Sequence, residues 1–452
     1  MWPLRSIAYF IFFWVTCAAS LINPIWGVVN YILVYQANPT VTWWGKPITD
    51  LGLRFSLIAV CFTMVGLFTG RKYVPEVRPV FSPWELGAFL LVAIAAVTLF
   101  TGFGPTPAAL FEFEKFWKEM LFVMLLTRMA STRTNLRIVV WTLVVGSLYL
   151  GYDAYTAPSD AFVLGRLDKI GGPDISTTSG AAAHLVAMLP IIGAAFLCAR
   201  RWPGKLLAIV SGAFVVNAII LCRTRSAFVG FLCGTVVAVL IAPRARRFRI
   251  HFLLIIGALS AYSLTDNLFW KRMSTLTDER LVESDRATAV RKEIWEASIQ
   301  ILEDHPFGIG PGNFTQVIGD YDPRHYRRAC HNSVVGCFVE LGIQGGIVFL
   351  CIVLGSIYLL YRSVRLADLS EDPLESRLLA YGFFISLVTY FVTALGTQRF
   401  YCESFWWVLC LPLCLYRSVT REIASPAIVP ELSQQAGAFE EFILVDRLAP
   451  SH

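Results

Sequence analysis

The chain has 452 residues, of which 56% are hydrophobic and only 15% are charged. Soluble domains carry about 25% charged residues, so this composition excludes an ordinary soluble protein and predicts a polytopic membrane protein. The formal net charge is +6. Positive charge in the short loops between apolar segments is typical of membrane orientation, so we do not interpret it as a sign of nucleic-acid binding.

Eleven apolar segments predict transmembrane helices, which need about 20 residues each. They are Phe55–Phe68 with its flanks, Trp84–Phe100, Phe116–Ala130, Ile138–Tyr152, Ala181–Ala199, Leu206–Leu221, Ala227–Ala242, Ile250–Leu264, Val334–Tyr361, Leu378–Leu395 and Phe405–Tyr416. The N-terminal segment Ser6–Gln36 is expected to cross once, although Asn23-Pro24 should break its helix. We therefore predict an all-α polytopic integral membrane protein with about 12 transmembrane helices.

The distribution of arginine and lysine predicts the orientation. Six consecutive loops on one side carry basic residues, from Arg71-Lys72 in the first to Arg417 and Arg421 in the last. The positive-inside rule makes this side cytoplasmic. With Arg5 taken as cytoplasmic too, we expect a multi-pass protein of a bacterial inner membrane with both termini in the cytoplasm.

One long polar segment, Asp266–Asn332, falls on the opposite, periplasmic side. It contains a predicted helix, Ala287–Glu303, and a turn, Gly308–Phe314. We divide the chain accordingly. The parts are an N-terminal transmembrane region (residues 1–220), a core with the periplasmic loop (221–361, loop 266–332), C-terminal transmembrane helices (362–420) and a cytoplasmic tail (421–452).

Arg223 and Arg225 flank Thr224 in a very short outer connection, where the positive-inside rule disfavours arginine. Snorkelling of the side chains to the interface is the structural explanation. A partly buried arginine also suits phosphate, because its guanidinium binds in a bidentate manner and never loses its charge. We interpret this pair as phosphate-binding and favour Arg225 over Arg223.

The predicted helix of the periplasmic loop carries further candidates. Arg291 and Trp295 are four residues apart and therefore share a helix face. The pattern fits a surface cation–π pair and a ligand-binding arginine equally well. Arg286 lies five positions before Arg291 and points elsewhere, and Arg328 belongs to a basic run near the end of the loop. We include both as candidate substrate-binding residues.

His331 follows that basic run and directly precedes a long apolar span. Neighbouring arginines would lower the pKa of the imidazole and keep it neutral. A neutral imidazole can accept a proton from a hydroxyl group, so His331 is the candidate general base. Glu340 lies about 13 Å further along the helix and could pair with an arginine inside the membrane.

Other sequence features bear on metals, nucleotides and disulfides. No paired-carboxylate motif for Mg²⁺ stands out, so we predict neither a metal site nor a cofactor, and arginines would have to recognise phosphate. The turn Gly308–Phe314 lacks the Lys-Ser/Thr end of a nucleotide phosphate loop, and its glycines favour a tight chain reversal.

Cys330 and Cys402 both fall on the outer side, which leaves open whether they pair.

The ordered set of motifs over Leu221–Phe349 resembles the O-antigen ligase (WaaL-like) and Wzy polymerase superfamily. Three stretches carry the resemblance: Thr224–Gly230, then Arg291-x-x-x-Trp295 with His305–Phe314, and finally His331–Ser333 with Glu340–Gly346. A looser similarity to the exosortase-associated O-glycosylation ligase branch rests on Gly27–Pro39, Gly165–Leu167, Gly172-Pro173 and the span that contains Pro190.

This resemblance implies a membrane glycosyltransferase with a GT-C-like fold. Its donor would be a glycan on undecaprenyl pyrophosphate, and its acceptor a glycan, a lipid A core or a protein hydroxyl, among membrane lipids. By position, Arg225 and Arg291 would hold the pyrophosphate and His331 would activate the acceptor. Two alternatives stay open: a Wzy-type polymerase with the same chemistry, and a polysaccharide transporter or flippase, which would show broken helices and charges near the midplane.

Overall fold

Helices make up most of the described chain. A computed structural model of the protein describes residues 2–42, 44–168, 170–172, 174–274, 276 and 286–424. These residues contain seventeen α-helices and one short hairpin, so the predicted all-α class is confirmed. The helices are α1 (Leu4–Ile22), α2 (Ile25–Gln36), α3 (Lys46–Thr49), α4 (Phe55–Thr69), α5 (Pro83–Thr101), α6 (Pro107–Met129), α7 (Arg133–Tyr155), α8 (Thr178–Cys198), α9 (Trp202–Cys222), α10 (Arg225–Leu240), α11 (Arg247–Leu264), α12 (Asn267–Ser274), α13 (Arg286–Asp304), α14 (Phe314–Tyr321), α15 (Ser333–Leu366), α16 (Pro373–Ala394) and α17 (Glu403–Ile423). The hairpin pairs β1 (Phe162–Val163) with β2 (Arg166–Leu167).

All eleven apolar segments predicted from the sequence are helical, as α4 to α11 and α15 to α17. Eight helices of the described chain are long and apolar enough to cross a membrane: α1, α5, α7, α8, α9, α11, α15 and α16. The helices α2, α4 and α10 are shorter but apolar. Two further predicted spans, α6 and α17, are also long helices, but they carry more charged residues. The chain is therefore a polytopic membrane protein.

The N-terminal segment forms two antiparallel helices. The break at Asn23-Pro24, which the sequence predicts, separates α1 from α2. Nδ2 of Asn30 in α2 lies 3.2 Å from Sγ of Cys17 and 3.4 Å from the carbonyl of Phe13, so α2 returns along α1. The segment is therefore a helical hairpin, and the number of times it crosses the membrane stays a prediction. The sequence does not reveal the return helix because α2 has only 12 residues, fewer than the roughly 20 of a full span.

The two ends of the described chain lie at opposite ends of α7. Arg5 donates to the hydroxyl of Tyr152, near the last turn of α7, at 3.4 Å. Glu422, at the end of α17, accepts from Arg133 in the first turn of α7 at 2.6 Å. A helix of 23 residues is about 34 Å long. Arg5 and Glu422 therefore lie at opposite ends of a helix of membrane-spanning length, and the cytoplasmic placement of both termini stays a prediction that this geometry does not favour.

The periplasmic loop predicted from the sequence has a small hydrophobic core of its own. Ile294 and Ile301 of α13 pack with Phe314 and Ile318 of α14 and with Val339 of α15. The helix predicted for residues 287–303 is confirmed as α13. Residues 277–285 of the loop, and the tail from residue 425 onward, lie outside the described residues. This core packs α13 against the start of α15, next to His331.

Candidate active site at the outer ends of the helices

The tight connection between α9 and α10 fixes Arg223 in a structural contact. Arg223 has a left-handed backbone with φ of 45° and ends α9. Its guanidinium donates to the carbonyl of Gly165 and forms an ion pair with Asp266. Arg223 therefore ties the β1–β2 turn to the start of α12.

Arg225 is the first residue of α10, and only 8% of it is exposed. Arg166 of β2 reaches the same connection, where Nη2 donates to Oγ1 of Thr224 at 3.4 Å. Burial lowers the pKa of Arg166, and the charges of Arg272 and Arg225 lower it further. The fold thus gathers positive charge around Arg225 at the outer end of α10. The sequence offered Arg166 only as part of the Gly165–Leu167 motif.

The loop helix α13 is fastened directly beside His331. Nε1 of Trp295 donates to the carbonyl of Cys330 at 3.1 Å. Arg291, one turn earlier on α13, lies close enough to His331 for its charge to act on the imidazole. The structure therefore brings two of the predicted site residues together. The side chain of Arg286 lies outside the described residues.

The glycine-rich turn before α14 docks into a kink of α15. Gly342 interrupts the helix with φ of 75°, which frees carbonyl groups in the turn before it. The backbone N–H of Ile309 donates to the carbonyl of Val339 at 3.1 Å, and that of Gly310 donates to Glu340 at 2.9 Å. Gly308, Gly310 and Gly312 all have positive φ, as the predicted chain reversal over Gly308–Phe314 requires.

Glu340 lies beside the glycine-rich turn and not beside an arginine. Its carboxylate lies beside the backbone of Gly312 and Phe314 and the hydroxyl of Tyr401, and it forms no ion pair among the described residues. Only 4% of the residue is exposed. The expectation that Glu340 pairs with an arginine is therefore wrong. The side chain faces the glycine-rich turn instead, and its backbone carbonyl accepts from Gly310.

His331 lies in a strained position among positive charges. Its φ of 53° is uncommon for a residue with a side chain and is costly unless surrounding contacts hold it. His331 is an exposed residue, although neighbouring protein still removes part of the water around its imidazole. This partial burial lowers the pKa of His331, and the charges of Arg291, Arg399 and Arg328 lower it further. The imidazole is therefore neutral near pH 7, with a nitrogen lone pair able to accept a proton.

Arg399, between α16 and α17, is a site residue that the sequence analysis missed. Its backbone N–H donates to Oγ of Ser333 at 2.7 Å, and Nη1 donates to the carbonyl of Asp174 at 2.8 Å. A Cβ on Gly396 would lie 2.7 Å from Cβ of Ser226, so this segment also packs against the start of α10. The segment 396–399 thus links the Arg225 connection to His331. The sequence did contain one signal for Arg399: it is an arginine in a short outer loop, where the positive-inside rule disfavours arginine.

The basic run that closes the periplasmic loop has two separate roles. Nε2 of His325 lies 2.7 Å from Oε2 of Glu293, and Arg324 contacts Asp322 at 2.8 Å and Glu293 at 3.4 Å. These contacts fasten α13 to the segment after α14. Glu293, Asp322 and His325 are close enough to hold a metal ion, although Arg324 already supplies a cation to both carboxylates. Arg328 is the member of the run whose charge acts on His331.

A second buried polar group lies beneath the outer loops. Glu119 of α6, Asp174 and Glu403 of α17 are also close enough to hold an ion. Lys115 forms an ion pair with Asp174, lies 3.8 Å from Glu119 and so supplies positive charge there. No sequence pattern indicated this group, because its members come from three distant segments.

The two outer cysteines do not form a disulfide in this structure. Cys330 and Cys402 are both free and buried. Sγ of Cys402 instead lies 3.4 Å from Oγ of Ser404 and 3.5 Å from the hydroxyl of Tyr390. Each thiol is therefore part of the packing on its own side of the site.

Residues 210–350 match the protein-family model described as O-antigen ligase. The matched range includes the Arg225 connection, α13, the glycine-rich turn and His331, and it ends before Arg399. The match confirms the resemblance seen in the motifs and supports a membrane enzyme of the ligase or polymerase type. A search of curated proteins found no match.

Proposed function

We propose that this chain, with an O-antigen ligase domain over residues 210–350, is a membrane glycosyltransferase that moves a glycan from undecaprenyl pyrophosphate to an acceptor hydroxyl. The reaction takes place on the periplasmic side of a bacterial inner membrane. In this orientation the basic loops face the cytoplasm, as the positive-inside rule predicts, and Arg225, His331 and Arg399 lie at the opposite ends of their helices.

One observation carries the proposal. The pKa of His331 is lowered by partial burial and by three arginines, and these arginines come from the loop helix α13, the end of the loop and the α16–α17 connection. A neutral base surrounded by fixed cations suits a reaction in which a hydroxyl loses its proton while a pyrophosphate leaves with negative charge.

The proposed step is a direct displacement at the anomeric carbon of the donor glycan. The acceptor oxygen attacks this carbon, and His331 takes the proton of the acceptor hydroxyl. The bond between the anomeric carbon and the pyrophosphate oxygen breaks, and undecaprenyl pyrophosphate leaves with the bonding electrons. A single displacement inverts the configuration at the anomeric carbon.

The arginines stabilise the leaving group in this proposal. Arg225, buried at the start of α10, and Arg291, on α13, hold the pyrophosphate. Arg399 adds a third cation because its backbone is anchored on Ser333, two residues after His331. A guanidinium offers several N–H donors in a planar fork that matches phosphate oxygens. Arginines alone can therefore take up the developing charge, and the proposed step requires no metal ion.

The test is a transfer assay with purified protein, a lipid-pyrophosphate glycan and a panel of acceptors: a lipid A core, a free glycan and a protein. We expect His331→Ala to abolish transfer and Arg225→Ala and Arg291→Ala to weaken donor use. His305→Ala is the matched control, since His305 is an exposed histidine of the same loop. Wild-type transfer by His331→Ala would refute the base, and unchanged donor affinity in both arginine variants would refute the pyrophosphate clamp.

A Wzy-type polymerase would use the same residues with a second lipid-linked repeat as acceptor. The products of gene deletion separate the two activities. Accumulation of single unpolymerised repeats indicates a polymerase, and accumulation of long unattached chains indicates a ligase.

The broken helix of this protein differs from what a transporter needs. Transporters use interrupted helices to expose backbone groups to a substrate or ion. In α15 the carbonyls released at Gly342 accept hydrogen bonds from Ile309 and Gly310 instead. The break is a docking site for the periplasmic loop, which favours the enzyme over a flippase.

A further inference from the structure

An apolar cavity of about 980 Å³ lies at the ends of α10, α15 and α16 that are remote from His331. Its wall includes Ile241 after α10, Ile357 and Leu360 of α15, and Tyr381 and Phe384 of α16. Cavities of roughly 300–1,000 Å³ hold drug-sized ligands, so this one is large enough for an organic molecule. The almost entirely apolar wall requires an occupant with hydrocarbon character.

The charged residues around this cavity leave a net positive rim. Asp372 and Arg377 also line it, but Arg200 pairs with Asp372 at 2.6 Å and Asp368 pairs with Arg377 at 2.7 Å. Arg244 is the other charged residue of the wall and is exposed. It forms no ion pair within the part of the chain that the structure describes.

Three more arginines follow Arg244 closely in the chain. They are Arg246, Arg247 and Arg249, at the start of α11, and none of them has an ion pair among the described residues either. The rim therefore offers an anion the guanidinium of Arg244, with three more arginines close by in the chain. It also lies at the basic end of the bundle, where the charged headgroups of the inner leaflet are expected.

We propose that this cavity binds an anionic phospholipid, with an acyl chain against the wall of α15 and α16 and the phosphate at Arg244. Basic pockets between transmembrane helices on the cytoplasmic side bind such headgroups, and each arginine near the surface contributes to the attraction. A soluble anion would leave the apolar wall unfilled, and a neutral lipid would leave the arginine rim without a counter-charge.

The position of the lipid gives it a structural role. The same three helices carry Arg225, His331 and Arg399 at or next to their other ends. A lipid wedged between α10, α15 and α16 fixes the spacing of these helices. The proposal does not depend on the chemistry at His331, because it concerns the opposite end of the bundle.

The test is native mass spectrometry of the purified full chain with dioleoylphosphatidylglycerol or dioleoylphosphatidylcholine. We expect the phosphatidylglycerol adduct to exceed the phosphatidylcholine adduct. Arg244→Ala should weaken phosphatidylglycerol binding about fivefold, the effect of one surface arginine. Ile357→Trp should narrow the cavity and reduce phosphatidylglycerol binding. Ile357 is 37% exposed, so a larger side chain can be accommodated there without disturbing the core.

Two variants serve as matched controls. Leu354→Trp places the same side chain one turn earlier on α15, at a residue that is 64% exposed and outside the cavity wall. Arg201→Ala removes an exposed arginine elsewhere on the basic side. Both should bind phosphatidylglycerol like the wild type. Equal binding of the two lipids by the wild type, or undiminished phosphatidylglycerol binding by both Arg244→Ala and Ile357→Trp, would overturn the proposal.

Discussion

Nη1 of Arg399 donates a hydrogen bond to the carbonyl oxygen of Asp174 at 2.8 Å, which joins the α16–α17 connection to the outer loop before α8. Arg399 lies outside the range that matches the ligase family, and its charge lowers the pKa of His331 after the larger effects of burial and Arg291. The candidate site therefore draws on parts of the chain on both sides of the matched range.

The first prediction concerns the pH dependence of transfer. His331 must be neutral to accept a proton, and its pKa is lowered by partial burial and by Arg291, Arg399 and Arg328. The rate should therefore rise with pH through a value below the ordinary histidine pKa of about 6.5 and be constant near neutrality. Measuring kcat/KM between pH 5 and 8 tests this, and a midpoint at or above the ordinary value would contradict it.

The second prediction isolates the effect of Arg399. Removing its charge in Arg399→Ala should raise the pKa of His331, so the acid limb of the pH profile should move to higher pH. Arg327→Ala is the control, because Arg327 lies over the ring of Tyr326 and its charge does not act on His331. A merely structural role for Arg399 would lower the rate at every pH without moving the limb.

The sequence predicted the spans well because their signals are local. Runs of about 20 apolar residues and the side preference of arginine are each read within one segment, and all eleven such segments are helical. The return helix α2 carries a weaker signal. It is short, and its polar residues Asn30 and Gln36 are fully buried against neighbouring helices, where only the tertiary structure explains them.

The candidate site was predictable where its residues fall in a recurring order along the chain. Arg225, Arg291 and His331 belong to such motifs. Arg399 lies 68 positions beyond His331, and its place is set by hydrogen bonds to Ser333 and Asp174. Contacts between segments this distant leave no spacing pattern in a single sequence.

The third prediction concerns the kink of α15. A Cβ on Gly342 would lie 2.4 Å from the carbonyl carbon of Phe307, and its φ of 75° disfavours any side chain. Gly342→Ala should therefore destabilise the protein by at least about 1–3 kcal/mol, the usual range for such backbone strain. Thermal unfolding in detergent, followed by tryptophan fluorescence, measures the change.

The control for that variant is a glycine-to-alanine substitution that should not lower stability. Gly257 lies in the interior of α11, and a Cβ there would meet nothing within 4 Å. Gly257→Ala should leave the melting temperature unchanged or raise it, because alanine is favoured over glycine in a helix by about 1 kcal/mol. Similar melting temperatures for the two variants would show that the kink is not specified by Gly342.

The fourth prediction separates Arg223 from Arg225. Arg223 is occupied by Asp266 and the carbonyl of Gly165, so it should act on stability and leave donor affinity unchanged. Arg223→Ala and Asp266→Ala should each lower the free energy of unfolding, and the double variant should lose less than the two losses added together. The expected coupling is about 0.5–1 kcal/mol, because the carboxylate of Asp266 is half exposed and partly screened by solvent.

Reversible unfolding in mixed micelles gives the four free energies of this cycle, and donor titrations of the same variants give the affinities. Arg225→Ala should instead lower donor affinity and show no energetic coupling to Asp266→Ala. If the losses from Arg223→Ala and Asp266→Ala are strictly additive, the ion pair does not stabilise the protein. If Arg223→Ala weakens the donor as much as Arg225→Ala, both arginines contact the pyrophosphate, and the division of roles between them is wrong.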